Sequence, residues 1–286
     1  MSTSEPWPDL PEELAERLML DGDGFVAFLE KMGADFPARD YDPSLFEHAL
    51  GYPWPRPAES FVLRDDAVEP WQPDLIDGRR ALLAIGSNSA PERLTLKLAH
   101  FEDADDRLVP VQIGMLHGFD VGAAPVVTAY GSMPASIFES PGTNVRLAIL
   151  WVTENQFTQL TWSELGYWLG RLGGVRFDDE TLTLYVFIHR LGVFAPDGEP
   201  VALHAIAAEN RTAPALTQRE LLDRAAALGD LPSAEAVVEE VFRDLPRAFQ
   251  RAAAIRERAQ PFAHDGWTPF TWTRAPGSPE DPVTAQ

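Results

Sequence analysis

Between residues 82 and 94 the chain reads Leu82-Leu83-Ala84-Ile85-Gly86-Ser87-Asn88-Ser89-Ala90-Pro91-Glu92-Arg93-Leu94, an apolar run that stops at a small polar triplet and restarts as a helix. A short apolar run bounded by glycine predicts a strand buried on both faces. Pro91 suits the first turn of a helix, because its missing N–H would have no partner there anyway. Strand, Gly86-Ser87-Asn88 turn and helix together offer backbone N–H groups and a helix N-terminus to an anion. The same triplet also reads as a plain turn, since Gly, Ser and Asn populate turns readily. It is not a P-loop, having no Gly-Lys-Ser/Thr, and not a dinucleotide fingerprint, having no further glycines at the required spacing.

Composition narrows the function classes. The 286 residues include 44 Asp and Glu against 23 Lys and Arg, a formal net charge of -21 at pH 7. Such a field repels phosphate backbones and anionic lipid, so neither nucleic acid nor a membrane surface is expected as a partner. The chain has no cysteine, which removes disulfides, thiolate zinc sites and thiol nucleophiles together. The start, Met1-Ser2-Thr3-Ser4-Glu5-Pro6-Trp7, lacks a basic region followed by an apolar one, so it does not read as a signal peptide. No apolar stretch approaches the roughly 20 residues of a spanning helix. A cytoplasmic location is expected.

The pattern divides the chain into an N-terminal helical arm (1–76), a central domain (77–232) and C-terminal helices with a tail (233–286). In the arm, Pro11 followed by Leu14 and Leu18 predicts one helix, Phe25, Phe28, Leu29 and Met32 before Gly33 a second, and Asp42-Pro43 through Gly51 a third. Tyr52-Pro53-Trp54-Pro55-Arg56-Pro57 excludes regular structure and reads as an ordered arm laid across the next domain. In the central domain, strands are predicted at 81–85, 108–115, 126–129, 145–152, 183–188 and 201–206. Helices are predicted from Pro91 to about Ala99, from Glu154 to about Leu165 with Thr153 as cap, and over 218–228. The alternation argues for an α/β or α+β domain. From Ser233 a helical stripe runs to Ile255 and is kinked or restarted by Pro246. Trp267, Phe270 and Trp272 are expected to pack on the domain, and the final ten residues to be disordered.

Several candidate sites carry no signature. The six histidines, His48, His100, His117, His189, His204 and His264, show no metal-ligand spacing and read as core or surface residues. Glu102-Asp103-Ala104-Asp105-Asp106 reads as a solvated loop, and Asp21-Gly22-Asp23-Gly24 as a turn lacking the other ligands of a calcium loop. No Gly-x-Ser-x-Gly elbow is present.

Four short motifs, taken in order, resemble the γ-glutamyl cyclotransferase-like family over roughly residues 81–232. Ala84-Ile85-Gly86-Ser87-Asn88 stands where that family's first strand ends in Tyr-Gly-Ser-Asn. Ile137-Phe138-Glu139-Ser140-Pro141-Gly142 stands at its Ser-Pro-Gly turn, Leu160-Thr161-Trp162-Ser163-Glu164 at its helix end, and Asn210-Arg211-Thr212-Ala213-Pro214 before its last helix. The resemblance implies a mixed α/β fold: a small barrel-like mixed sheet flanked by helices, here with N- and C-terminal helical extensions. It implies cyclisation of a γ-glutamyl amine or peptide to 5-oxoproline with release of the amine, without metal or cofactor. Ile85, Gly86, Ser87 and Asn88 would bind the substrate, the N–H groups around Gly86, Ser87 and Asn88 holding its α-carboxylate, and Glu164 would be the acid–base carboxylate. A carboxylate in that role works best when burial brings its pKa toward neutrality. Glu139, beside a Pro-Gly turn, is the competing carboxylate and reads as solvated. The sequence departs from the family at Ile85 for tyrosine, Leu147 for a strand glycine, Thr161 for aspartate, Leu165 before Gly166, and Ala205 near a late-strand tyrosine. A binding or interaction protein that kept the anion-holding turn and lost the chemistry is the rival reading, and another enzyme of the same fold a third.

Overall fold

A computed structural model describes residues 6–20, 24, 25, 27, 28, 31 and 38–273. The centre is a closed barrel of five strands: β3 (Arg80–Ala84), β4 (Leu108–Ala123), β5 (Ala135–Val152), β6 (Tyr167–Phe177) and β7 (Glu180–His189). β5 pairs with β3, β3 with β7, β7 with β6, β6 with β4, and β4 returns to β5. Within the barrel β3 and β7 run parallel, through Leu82 opposite Tyr185 and Leu83 opposite Val186, and the other neighbours antiparallel; the β4–β6 seam rests on one pair, Leu116 and Phe177. The mixed barrel flanked by helices that the motifs imply is therefore the observed architecture.

Alternation along the strands feeds two cores. Leu83, Leu147, Ile149 and Val186 join one, while Leu82, Ala84, Ala148, Leu150 and Tyr185 join the other. Helix α1 (Glu12–Leu18) buries Leu14, Ala15 and Leu18 in the second core. Arg190 satisfies the carbonyls ending that helix, donating to Arg17 O at 3.0 Å, Leu18 O at 3.1 Å and Leu20 O at 2.6 Å. Helix α2 (Pro43–Leu50) is capped by Asp42, whose carboxylate accepts from Ser44 N at 2.8 Å. Of the second expected arm helix, Phe25 and Phe28 are helical, while Leu29, Met32 and Gly33 lie outside the described residues, as do 21–23 of the expected acidic turn. The final ten residues lie outside them too.

Helix α3 (Pro91–Leu98) follows β3 as expected, but its buried face is Leu94 and Leu98, four apart, and Leu96 is exposed. Helix α4 (Glu154–Trp162) opens with a full capping box between Thr153 and Gln156. It stops at Trp162, earlier than expected, because Ser163 Oγ turns back to Leu160 O at 2.7 Å. Asp106 corrects the reading of its acidic run as a solvated loop. It is buried, accepting from Thr153 Oγ1 and Asn155 Nδ2, each at 2.6 Å, so it anchors the start of α4.

Four further differences have local causes. Phe61–Arg64 (β1) and Ala67–Pro70 (β2) form a hairpin on the edge of β4, so the segment before residue 77 holds strands as well as helices. Residues 126–129 are not a strand, because Val126 N bonds Ala124 O and Thr128 N bonds Ser132 O within the loop. The expected strand at 201–206 is reduced to Ala202–Leu203. Ser140-Pro141-Gly142-Thr143 is a bulge inside β5 rather than a turn between strands: β4 pairs Phe119 with Glu139 and His117 with Asn144, so these four residues face Gly118. Gly142 takes φ +84 there, a left-handed backbone that glycine accepts freely.

Toward the C-terminus, α5 (Gln218–Leu228), α6 (Ala234–Arg243) and α7 (Leu245–Arg251) pack on the first core. Asp244 caps α7 with Pro246 in its first turn, so the helix restarts there as the proline demands. The tail pairs Trp267–Pro269 with β6 and buries Phe270.

Candidate functional site

β3 ends at Ala84, and the chain turns through Gly86 into a single 3₁₀ turn, Ser87–Ser89, before α3. Ser89 N closes onto Gly86 O at 3.3 Å and Ala90 N onto Ser87 O at 3.0 Å. The first N–H groups of a helical turn have no partner within it, and here those belong to Ser87 and Asn88. Gly86 is sterically required. A Cβ on it would stand 2.5 Å from the Tyr52 hydroxyl and 3.0 Å from Ala135 Cβ. Tyr52 is buried and its oxygen accepts from Ala135 N at 2.7 Å, so it cannot yield cheaply.

A cavity of about 340 Å³ opens over this turn. Ile85, Gly86, Ser87, Asn88 and Glu164, the five residues singled out from the sequence, all line it. Glu164 sits in the turn after α4, fixed by Glu164 N to Thr161 O at 3.1 Å and by Tyr167 N to its own carbonyl at 2.9 Å. Its Oε1 accepts from Lys97 Nζ at 2.8 Å and from Asn88 Nδ2 at 3.1 Å, and Lys97 Nζ also donates to Asn88 Oδ1 at 2.6 Å. Ammonium, carboxylate and amide thus form a closed triangle. Among the described residues, Oε2 takes part in no hydrogen bond. Glu139 is exposed and does not line this cavity.

The remaining wall comes from residues the sequence reading did not single out. Phe25, Tyr52 and Trp54 come from the arm, Arg93 and Lys97 from α3, Tyr130 from the loop before β5, and Tyr167 and His189 from β6 and β7. Burial pushes the phenols of Tyr52, Tyr130 and Tyr167 upward, so each is a neutral hydroxyl. Burial first, and the Arg190 charge second, push His189 down to about 3. Its Nδ1 accepts from Leu191 N at 3.3 Å, which places the proton of the neutral ring on Nε2. Arg93 lies over the Trp54 ring, 4.6 Å from its centroid.

Lys97 has a signal that was available in the sequence. The chain contains two lysines, Lys31 and Lys97, and Lys97 lies four residues after Arg93 on a helix that starts at the candidate turn. Both flank the buried Leu94 and Leu98 stripe and so border the interior. Tyr52 and Trp54 had no such signal, because their approach depends on how the arm folds back.

Among the described residues, no three His, Asp or Glu side chains come together as metal ligands, and no helix is long and apolar enough to cross a membrane. No protein-family model matches the chain, and no curated protein matches it. Among solved structures, a chain described as "Gamma-glutamyl cyclotransferase" is similar to it at 12% identity and a TM-score of 0.31, over 65% of this chain and 91% of that one. At so low a TM-score the likeness carries no argument about what this chain does.

Proposed function

We propose that the cavity over the Gly86–Asn88 turn binds a γ-glutamyl amine or peptide and cyclises its glutamyl head to 5-oxoproline, releasing the amine. The observation that carries this reading is the meeting of Glu164 with the Gly86–Asn88 turn. The two are joined by the Asn88 amide across a sequence separation of 76 residues, and both line one cavity.

In this reading the N–H groups of Ser87 and Asn88, with the Lys97 ammonium beside them, hold the substrate α-carboxylate. Glu164 takes one proton from the α-ammonium through Oε2. The freed nitrogen attacks the γ-carbonyl carbon of the same molecule, closing a five-membered ring. The bond from that carbon to the departing nitrogen then breaks as Glu164 returns the proton to it, and Glu164 carries the ring nitrogen's second surplus proton the same way, so the lactam keeps one N–H and the amine leaves as its ammonium. Protons balance, and no outside reagent is consumed. Because attacker and target belong to one molecule, the main task is to hold it folded, and well-oriented cyclisations reach effective molarities of about 10⁵ M or more. The aromatic walls of Tyr52, Trp54 and Tyr167 suit that task, narrowing the cavity and excluding water.

Two observations favour the second reading, a binding protein without turnover. Glu164 Oε1 is already engaged by an ammonium and an amide, and Ile85 provides no hydroxyl where the family has tyrosine. The test is incubation with a panel of γ-glutamyl amines and peptides, following 5-oxoproline by mass spectrometry and binding by calorimetry. Product formation supports cyclisation, and saturable binding without product supports the second reading. Neither binding nor product with any member of the panel would overturn both.

A further inference from the structure

Trp54 also borders a second cavity, of about 310 Å³, formed where the proline arm crosses β5. Among the described residues, Arg56, Ser89 and Arg146 supply charged or hydroxyl side chains to it, and no acidic residue lines it. Arg56 donates to Ser89 Oγ at 3.4 Å and to Ala205 O at 3.2 Å, and Arg146 donates to Ala58 O at 3.2 Å. Neither guanidinium has an ion-pair partner among the described residues. Each carries five N–H donors in a planar fork, so most of their donor capacity is uncommitted. In a chain with 44 Asp and Glu against 23 Lys and Arg, these two arginines border one cavity to which no described carboxylate contributes. Arg56 is half-buried, and burial disfavours its charge, as expected for a cation whose counter-charge is not supplied by the protein. The shared wall adds a second sign. Trp54 is held at φ 65, a left-handed conformation that bulky side chains avoid and that persists where surrounding structure enforces it, often beside ligands.

We infer that this second cavity is a binding site for a small dianion, held by the forks of Arg56 and Arg146. The chemistry recognised is a pair of oxyanion edges, supplied either by a phosphate or by a dicarboxylate, and paired guanidiniums suit both. The site stands apart from the reaction proposed for the larger cavity and does not depend on it. Its occupant would touch the turn indirectly, since Ser89 Oγ, which accepts from Arg56, donates to Gly86 O at 2.9 Å.

The test is calorimetric titration of the full chain at low ionic strength with inorganic phosphate and, separately, with succinate. One-to-one saturable binding of at least one is expected, and which of the two binds identifies the source. Arg146→Gln, at an exposed position, should weaken that binding about tenfold or more, the worth of a charge-assisted contact. Arg56→Lys keeps the charge but removes the fork and should weaken it too, with the far-ultraviolet circular dichroism unchanged. Lys97→Met, in the other cavity, should leave it as it is. No saturable binding of either ion at about 10 mM, where even a millimolar site is filled, would overturn the inference. So would binding that is lost in Lys97→Met and retained in Arg146→Gln, which places the anion in the larger cavity.

Discussion

The two cavities share Trp54 and differ in how their charges are balanced. In the larger one, Lys97 and Glu164 face each other at 2.8 Å and Asn88 bonds both, so these two charges are matched within the protein, while Arg93 lies over the Trp54 ring. In the smaller one, Arg56 and Arg146 reach only carbonyls and a serine. A site that already holds both signs admits a ligand carrying both, such as the head of an α-amino acid, by exchange of partners. A site with uncompensated cations draws an anion instead. The difference also dictates how each responds to substitution: removing Lys97 or Glu164 from the first strands an opposite charge, while removing a cation from the second frees carbonyl and hydroxyl acceptors and strands no charge.

The largest expected effect is on turnover. Glu164→Gln keeps the shape of the side chain and its contacts with Asn88, but an amide neither takes a proton from the attacking amine nor returns one. Loss of a positioned acid–base group costs about 10²–10⁴ in rate. The turn proposed to bind the substrate carboxylate is untouched, so in that reading the turnover number should collapse while the dissociation constant stays roughly constant. A variant forming 5-oxoproline at the wild-type rate would move the proton transfer elsewhere and dissolve the contrast between the cavities.

Acid should act on the first cavity alone, because the second is lined by no group that titrates between pH 3 and 7. His189 is neutral in the fold, pushed down to about 3 from 6.5. The unfolded chain therefore binds the extra proton first. Stability is complete above about pH 6.5 and is lost as the pH falls toward 3, by up to about 1.4 kcal/mol for each unit. Urea denaturation across this range, compared with His189→Gln, should show a steeper acid loss in the parent by close to one proton. Equal slopes would mean that the ring is protonated in the fold.

How much of this was legible in the sequence follows the range of each interaction. The turn at Gly86–Asn88 and the helix leading to Glu164 are local, so spacing and motif order were enough. Lys97 was legible in principle, one helical turn beyond Arg93. β6 was missed because Gly166, Gly170, Gly173 and Gly174 make it read as a loop. The structure gives one of these a use: the Trp267 ring lies where a Cβ on Gly170 would stand, a contact set by a residue almost a hundred positions away. The hairpin at 61–70 was hidden for a similar reason, since a four-residue strand becomes one only when β4 lies beside it.

Gly86→Ala tests the junction of arm and turn. The added methyl meets the Tyr52 hydroxyl, and overpacking of a rigid interior costs about 1–3 kcal/mol, measurable as a lower urea midpoint at unchanged slope. Tyr52→Phe in the same chain removes the clashing oxygen, so the pair should cost less than the sum of the single changes. Additive costs would show that the turn does not rest on the arm.

The smallest effects set one cation against another. Lys97→Met removes an ammonium from a pair whose side chains are 18% and 14% exposed, leaving the Glu164 carboxylate without its counter-charge and Asn88 Oδ1 without its donor in a partly dry site. Stranding such groups costs about 1–3 kcal/mol. Arg146→Gln removes an equal charge from the second cavity, but there the loss is one bond to Ala58 O, at an exposed position open to water. Surface changes of that kind stay within about 0.5 kcal/mol. Urea midpoints of the two variants, taken in the same buffer, should therefore fall in that order. The gap should survive added salt, because the Lys97 pair is shielded from mobile ions and the Arg146 contact contributes little to screen. Equal midpoints would mean that Lys97 is no more committed to the fold than Arg146. The balance of charge inside the larger cavity would then be incidental to its stability.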